Sequence, residues 1–289
     1  VTVAEALARG AARLGEAGVP EPALDAELLL RHVLGWQRAT LIAGRDRPVP
    51  SASLERFEAL IAERRKRRPL QHLTGTQAFW RQEFHVTPDV LIPRPETELL
   101  VETALALLRG LPAPVVVDVG TGSGCIALSI AAELPHAEVH ATDVSAAALA
   151  VAADNACRLG LAERVCFHEG DLLEPVAEQA GRVDLIASNP PYVAEEERAA
   201  LAPEVRDHEP PVALYPPLDR YSVYRRLVPA AAHQLRPGGQ LVLELGHGMA
   251  EEVARLCRGE GYSIVALERD LQGIPRVLAV RRQARGDSP

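Results

Sequence analysis

Residues 114–119 read Pro-Val-Val-Val-Asp-Val, an apolar run with a single carboxylate, and three glycines at alternate positions follow at once in Gly120-Thr121-Gly122-Ser123-Gly124. A run without alternation suits a strand buried on both faces, and helices packed on each side of a parallel sheet bury it that way. A turn this rich in glycine lets the backbone bend tightly and approach a ligand, while the helix that follows points its positive end at the same place. The rhythm of strand, turn and helix recurs. Further strands are expected at 137–142, 165–168, 183–188, 240–245, 262–267 and 276–280, with helices at 125–133, 146–159 and 221–235. Ser145 is placed to cap the second of these helices, and Arg236-Pro237-Gly238-Gly239 makes a turn after the third. The pattern predicts an α/β fold, a doubly wound, mostly parallel, seven-stranded Rossmann-like sheet with right-handed crossovers.

Ahead of it, residues 1–75 read as a small helical bundle. Leu24, Leu28, Leu29 and Leu30 are expected on one face of a helix that starts after Pro22, and Leu54, Phe57, Leu60 and Ile61 repeat the helical spacing behind a cap at Ser51 or Ser53. Residues 76–92 change character: Phe79, Trp80, Phe84, Val86, Val90, Leu91 and Ile92 alternate with polar residues around Thr87-Pro88-Asp89, which predicts a β-hairpin linker. The expected domains are therefore 1–75, 76–92 and 93–289.

Charge is unevenly spread. The first 75 residues carry 12 basic and 9 acidic side chains, a balance of +3, and the remainder 19 against 30, a balance of −11. An acidic main domain argues against extended duplex DNA as the substrate, and no direct nucleic-acid substrate is expected, because phosphate neutralisation dominates such affinity. The run Arg64-Arg65-Lys66-Arg67-Arg68 is the local exception, open to two readings: a solvated helix end, or a contact with RNA or an acidic partner. Cys125, Cys157, Cys166 and Cys257 lack any C-x-x-C spacing, so free buried thiols are expected and no metal site. No apolar run approaches the roughly 20 residues of a membrane helix, and residues 1–18, with Glu5 and Glu16 among alanines, read as an amphipathic helix. A cytoplasmic protein is expected.

Three motifs carry chemistry. In the glycine loop, the position where a dinucleotide-binding G-x-G-x-x-G pattern wants its last glycine is Cys125. The tighter G-x-G-x-G form suits a methionine-like carboxylate and amino group, with no pyrophosphate to seat. Asp143, at the carboxyl end of the second strand, is placed to accept hydrogen bonds from ribose hydroxyls, since Ser145 can serve as the helix cap instead. Asp171-Leu172, after the third strand, lie where an adenine could be bounded by a carboxylate and an apolar side chain.

The most specific motif is Asn189-Pro190-Pro191-Tyr192, directly after the strand at 183–188. An amide nitrogen is a poor nucleophile, because its lone pair is delocalised into the carbonyl. Both of its N–H groups must be held by acceptors so that the lone pair faces an electrophile, and the Asn189 side-chain oxygen and the Pro190 carbonyl are two such acceptors. Prolines stiffen the loop in advance of the substrate, and Tyr192 offers a flat face to a planar group. No strong general base is needed if the proton leaves late, so alignment and desolvation carry the chemistry.

The glycine loop, Asp143 and Asn189 to Tyr192 together resemble the class I methyltransferases that modify planar nitrogens. The segment Leu91-Ile92-Pro93-Arg94-Pro95-Glu96-Thr97-Glu98 narrows the likeness, with Leu73-Thr74-Gly75 and Phe79-Trp80 before it and Glu209-Pro210-Pro211-Val212-Ala213-Leu214 and Asp270-Leu271-Gln272-Gly273-Ile274-Pro275-Arg276 after it. Together these resemble the HemK/PrmC family of glutamine methyltransferases, which act on peptide chain release factors. The resemblance implies that Gly120, Thr121, Gly122, Ser123, Gly124 and Asp143 bind S-adenosylmethionine, with Asp171, Leu172 and Asn189 beside it. It implies that Asn189, Pro190, Pro191 and Tyr192 hold the target glutamine, with Asn189, Pro190 and Tyr192 as the catalytic group and Arg94 and Glu96 near the pocket. The helical domain would help dock a class 1 release factor, the product would be N5-methylglutamine in its Gly-Gly-Gln motif, and a monomer is expected. One stretch departs from the family: Tyr215-Pro216-Pro217-Leu218-Asp219-Arg220-Tyr221 stands where a glycine-rich turn is usual, which bears on the shape of the pocket rim. The rival substrates are a ribosomal protein glutamine and a flipped-out adenine N6. A nicotinamide-dependent oxidoreductase would need the longer glycine fingerprint.

Overall fold

The computed structural model describes residues 1–283, so the last six residues of the expected 93–289 domain lie outside the described residues. No described helix is long and apolar enough to cross a membrane. The described residues divide into two compact units, residues 1–76 with 201–208, and residues 77–200 with 209–283.

The first unit begins with a capping box. Thr2 Oγ1 accepts from the Glu5 N–H, and the Glu5 carboxylate accepts from the Thr2 N–H, which starts α1 (Val3–Glu16). Then come α2 (Pro22–Leu34), α3 (Arg38–Ala43), α4 (Ser51–Arg65) and α5 (Leu70–Thr74). Gly10 lets α1 and α4 close on each other, since a Cβ there would stand 2.8 Å from the Phe57 ring. The face of α2 differs from expectation. Ala26, Leu29, Leu30 and Val33 are buried while Leu24 is exposed, because the stripe follows the 3.6-residue period and not the local leucine density. Neither Ser51 nor Ser53 caps α4; its N-cap is Pro50 and no side chain bonds there.

The basic run also differs from both readings. Arg64 is only 5% exposed; its Nε donates to Asp25 at 2.7 Å and its Nη2 to Glu204 at 2.8 Å. Arg67, in the left-handed region at φ 64°, adds a two-pronged contact to the same Glu204, with both distances 2.7 Å. Glu204 comes from a short helix, Pro203–His208, that lies far along the sequence yet belongs to this unit. Burial opposes the charge on Glu204, but the bonds from Arg67 and Arg64 win and hold it down to about 2. Two of the five cations in the run, Arg64 and Arg67, thus form an internal clasp, invisible to a reading that lacks its distant acid.

The second unit carries the sheet. Its strands are β3 (Val115–Val119), β4 (Glu138–Asp143), β5 (Val165–Glu169), β6 (Val183–Ser188), β7 (Leu235–Glu244), β8 (Tyr262–Arg269) and β9 (Pro275–Arg282), preceded by a separate hairpin of β1 (Thr76–Phe79) and β2 (Gln82–His85). The sheet order is β5-β4-β3-β6-β7-β9-β8, and β9 alone runs antiparallel to its neighbours. The helices of this unit are α6 (Pro95–Leu108), α7 (Cys125–Glu133), α8 (Ala146–Arg158), α10 (Pro211–Leu214), α11 (Ser222–Gln234) and α12 (Ala250–Gly259), with Pro203–His208 counted as α9. Alternate residues of the central strands serve opposite cores. Val116, Leu185 and Val242 pack with α6 and α7, whereas Val117, Ile186 and Leu243 pack with α11 and α12.

The expected hairpin exists, but its turn is at Trp80-Arg81, with Trp80 at φ 50°, and not at Thr87-Pro88-Asp89. Trp80 is held there by two acids: its backbone N–H donates to Glu98 at 2.7 Å and its indole N–H to Glu133 at 2.9 Å. Of the cysteines, Cys125 and Cys257 are buried as expected, and Cys157 and Cys166 are exposed.

Because removing one partner leaves buried charge unpaired, Glu204→Gln is expected to lower stability to urea by about 3 kcal/mol. An unchanged unfolding curve, followed by circular dichroism, would mean that the clasp contributes nothing.

Candidate active site

A cavity of about 370 Å³ opens at the carboxyl ends of β3, β4, β5 and β6, where the strand order reverses between β3 and β6. Ligands bind at such a switch point because the crossovers on its two sides leave to opposite faces. The wall contains Gly120 to Ser123, Asp143, Asp171, Leu172 and Asn189 to Pro191, so motifs far apart in sequence meet in one place.

The glycine loop has two different reasons for its three glycines. Gly120 and Gly122 sit at φ 73° and 55°, and a Cβ on either would meet nothing within 4 Å, so it would project into open space beside the cavity. Gly124, at φ 82°, is tight against the protein, for a Cβ would stand 2.9 Å from Leu128 and 3.2 Å from Ala152. The loop is pinned from below. The Gly120 and Thr121 N–H groups donate to the Thr142 carbonyl, Asp118 Oδ2 accepts from the Thr121 hydroxyl at 2.6 Å and the Ala127 N–H at 3.1 Å, and Asn155 Nδ2 donates to the Ser123 carbonyl. Burial pushes the Asp118 carboxyl up to about 7, opposed by the bonds from Thr121 and Ala127.

Asp143 is held by both oxygens: Oδ2 accepts from the Gly122 N–H and Oδ1 from the Ser145 N–H, each at 2.9 Å. A carboxylate has about four acceptor positions, so two bonds leave room for a diol. Ser145 caps α8, as expected. Leu172 lies at φ 49°, its carbonyl taking a bond from the Thr142 hydroxyl at 2.7 Å, and Asp171 is paired with Arg226.

At the other end of the cavity the Ser188 hydroxyl donates to the Val119 carbonyl at 2.8 Å, which sets the start of the Asn189 loop against the start of the glycine loop. Asn189 Nδ2 donates to the Thr97 hydroxyl at 3.3 Å, and Thr97 donates to Glu244 Oε2 at 2.6 Å. Burial pushes the Glu244 carboxyl up to about 7, against the Thr97 bond. Arg94, in the cavity wall, is anchored on Glu209 at 2.5 Å; burial raises the Glu209 pKa against the pull of that guanidinium. Tyr192 stands beside the cavity rather than in its wall. It packs against Gly246, where a Cβ would lie 2.7 Å from its ring, and burial raises its phenol far above the ordinary range. The proline-rich departure contributes Tyr215 and Pro217 to the wall, with Arg198 stacked 5.3 Å from the Tyr215 ring centre.

Sequence reasoning named no role for Asp118, Thr97, Asn155, Glu209 or Glu244. Two of these left a legible signal: Asp118 and Glu244 are each a lone acid within an apolar strand, which is costly unless the acid has work to do.

A model of the PrmC N-terminal domain matches residues 5–75, and a model of the methyltransferase small domain matches residues 95–205. A release factor glutamine methyltransferase of Cereibacter sphaeroides is 46% identical over 281 residues, covering 97% of this chain and 99% of its own. One of Geobacter sulfurreducens is 45% identical, covering 93% and 92%. Among solved structures, a methyltransferase from Pyrococcus furiosus superposes with a TM-score of 0.55 at 20% identity, over 72% of this chain and 92% of its own. A 16S rRNA N2 G1207 methyltransferase of T. thermophilus, solved with AdoMet and guanosine, gives 0.52 at 23% identity, over 72% of this chain and 50% of its own. These two share the fold. Sheet, glycine loop and domain match together define a methyltransferase. Within that class, the full-length likeness is decisive: the chain belongs to the release factor glutamine methyltransferase family.

Burial pushes the carboxyls of Asp118 and Glu244 up to about 7 in the folded protein, from ordinary values of 3.8 and 4.5. The native state therefore binds more protons than the unfolded one between those limits. The stability they contribute is complete below about pH 4 and is lost as pH rises through about 7. Asp118→Asn is expected to remove part of that loss, up to about 1.4 kcal/mol per pH unit between pH 5 and 7. Urea midpoints measured across that range check it, and identical slopes for both proteins would exclude it.

Proposed function

We propose that this chain transfers a methyl group from S-adenosylmethionine to the side-chain N5 of the glutamine in the Gly-Gly-Gln motif of class 1 peptide chain release factors. In this reading it acts in the cytoplasm as a monomer, with residues 1–75 docking the factor, 76–92 linking, and 93–289 carrying the chemistry. The observation that carries the reading is the Asn189 amide. Its NH₂ is spent on Thr97, which leaves its oxygen to the cavity that the glycine loop also lines.

The residues present suit the methyl donor. Open space over Gly120 and Gly122 is what close approach of a charged amino-acid group needs. Asp143 retains lone pairs for ribose hydroxyls, and Leu172 gives an apolar surface for adenine with Asp171 beside it. Thr121 and Ser123 complete the loop that holds the donor. Bound there, S-adenosylmethionine supplies an electrophilic methyl on a sulfonium.

The chain's own part is then positioning. Asn189 Oδ1 and the Pro190 carbonyl accept the two N–H groups of the target amide, which turns its lone pair out of that plane of contacts. Pro190 and Pro191 keep the acceptors in place before substrate arrives, so little reorganisation is needed. Tyr192, wedged on Gly246 beside the cavity, holds the exit of the loop that carries the two acceptors. Arg94, fixed by Glu209, guides the substrate backbone at the rim. The raised pKa values of Tyr192 and Tyr224 leave both phenols neutral, so acceptors and not strong bases surround the nitrogen.

The purified protein, given labelled S-adenosylmethionine and a class 1 release factor, is expected to label the factor but not a Gln→Ala version of its Gly-Gly-Gln motif. Asn189→Ala should lower kcat/KM by about 100-fold or more. Label on a ribosomal protein or on nucleic acid, run in parallel, would overturn the choice of substrate. Gly122→Ala should weaken donor binding at least tenfold by adding a side chain at positive φ over the loop; equilibrium dialysis that shows equal affinity would remove the loop from the site.

A further inference from the structure

Three elements that the sequence keeps far apart meet behind Asn189. Thr97 is in the first turn of α6, Glu244 ends β7, and Asn189 follows β6. Glu244 and Thr97 are each 2% exposed, so water does not compete for their bonds. The hydroxyl of Thr97 owns one hydrogen and gives it to Glu244 at 2.6 Å, the short distance of a charge-assisted bond. Its oxygen is then an acceptor only, and Asn189 must turn its NH₂ toward it, as the 3.3 Å contact has it. With the amide flipped, Asn189 Oδ1 would face the Thr97 lone pairs with no hydrogen between them. Backbone bonds brace the arrangement: the Tyr224 hydroxyl donates to the Glu244 carbonyl at 2.7 Å, and Ser188 is tied to Val119 at 2.8 Å.

We propose that Thr97 and Glu244 are positioning residues that lock the Asn189 side chain with its oxygen toward the substrate, and thereby make the site select a carboxamide over a carboxylate. This rests on the glutamine reading above and deepens it. A locked acceptor pair welcomes an NH₂ and repels the oxygen of a carboxylate, so a glutamate in place of the target glutamine is turned away at the binding step. A free asparagine amide could flip and offer its NH₂, which would welcome either group. Selection built from buried hydrogen-bonding groups is strong because the wrong partner leaves them unpaired.

The lock also has a pH sense. Glu244 is faced by Thr97, by the carboxylate of Glu96, by the guanidinium groups of Arg94 and Arg276, and by Cys125, Tyr192 and Tyr224. Once protonated, Glu244 becomes a donor to Thr97, Thr97 is free to donate to Asn189, and the flipped amide is then admitted. The locked form belongs to the ionised carboxylate and is favoured as pH rises.

The test compares Thr97→Val, which keeps the shape and removes the hydroxyl, with Thr97→Ser, which restores it. With release factor as substrate, Thr97→Val is expected to lower kcat on the order of 100-fold with donor affinity within twofold of wild type, and Thr97→Ser to stay within about threefold of the wild-type rate. The wild-type rate should rise with pH around neutrality and the Thr97→Val rate should not. Competition by a Gln→Glu release factor should be negligible with wild type and at least tenfold stronger with Thr97→Val. A Thr97→Val enzyme at wild-type rate, or a Thr97→Ser enzyme as slow as Thr97→Val, overturns the proposal. An independent readout is the Asn189 side-chain NH₂ signal in an asparagine-labelled NMR spectrum, where the proton bonded to Thr97 should exchange slowly with water in wild type and Thr97→Ser but quickly in Thr97→Val. If wild type labels no release factor, the substrate reading fails by itself, and the NMR comparison still decides the lock: retention of the wild-type signal in Thr97→Val defeats it.

Discussion

Everything at the active site depends on the parallel register of β3 and β6. Val119 lies opposite Ser188, and the serine hydroxyl closes on the valine carbonyl at 2.8 Å. The residue after each strand end is therefore a neighbour of the other, so Gly120 and Asn189 open on the same cavity. That proximity results from the reversal of strand order at this point, because crossovers to opposite faces leave the carboxyl ends of the two strands uncovered. The flanking layers follow from the same sheet. The central strands must bury both faces, which is why α6 and α7 cover one side and α11 and α12 the other.

A second constraint is electrostatic. The site is surrounded by acids that the fold has taken out of water: Asp118 under the glycine loop, Glu244 behind Asn189, and Glu209 behind Arg94. Buried carboxylates destabilise a fold unless they are hydrogen-bonded, and each of these is spent on holding a backbone segment or a polar side chain of the cavity wall. The result is a pocket whose acceptors are held in place by the fold, with neutral phenols nearby and the Asn189 amide bonded to a hydroxyl. That arrangement suits a weak nucleophile that must be aligned and desolvated.

The helical unit follows a different logic. Its core is a conventional apolar seam of Leu29, Leu30, Phe57 and Ile61, but one end is closed by Arg64 and Arg67 around Glu204. A cluster of basic residues that looks like an outward-facing patch in one dimension is partly an inward-facing clasp in three.

The sheet and the cofactor loop were legible because their causes are local. Unbroken apolar runs mark strands buried on both faces, alternate glycines mark positive φ, and Asn189-Pro190-Pro191-Tyr192 advertises rigid acceptors wherever it sits. The turn of the β1–β2 hairpin was misplaced because proline and aspartate at Thr87-Pro88-Asp89 are strong turn formers, whereas Trp80 takes its φ of 50° only under the pull of Glu98 and Glu133, acids from other elements. The buried face of α2, the partner of Arg64 and the placement of Tyr192 on Gly246 were likewise decided by neighbours distant in sequence. The amino-acid sequence by itself determined the strand-and-helix order, the loop chemistry and the family. Only the tertiary structure decided which way Asn189 faces, because that depends on a threonine 92 residues away and a glutamate beyond it, and hydrogen-bond direction is a property of the assembled network.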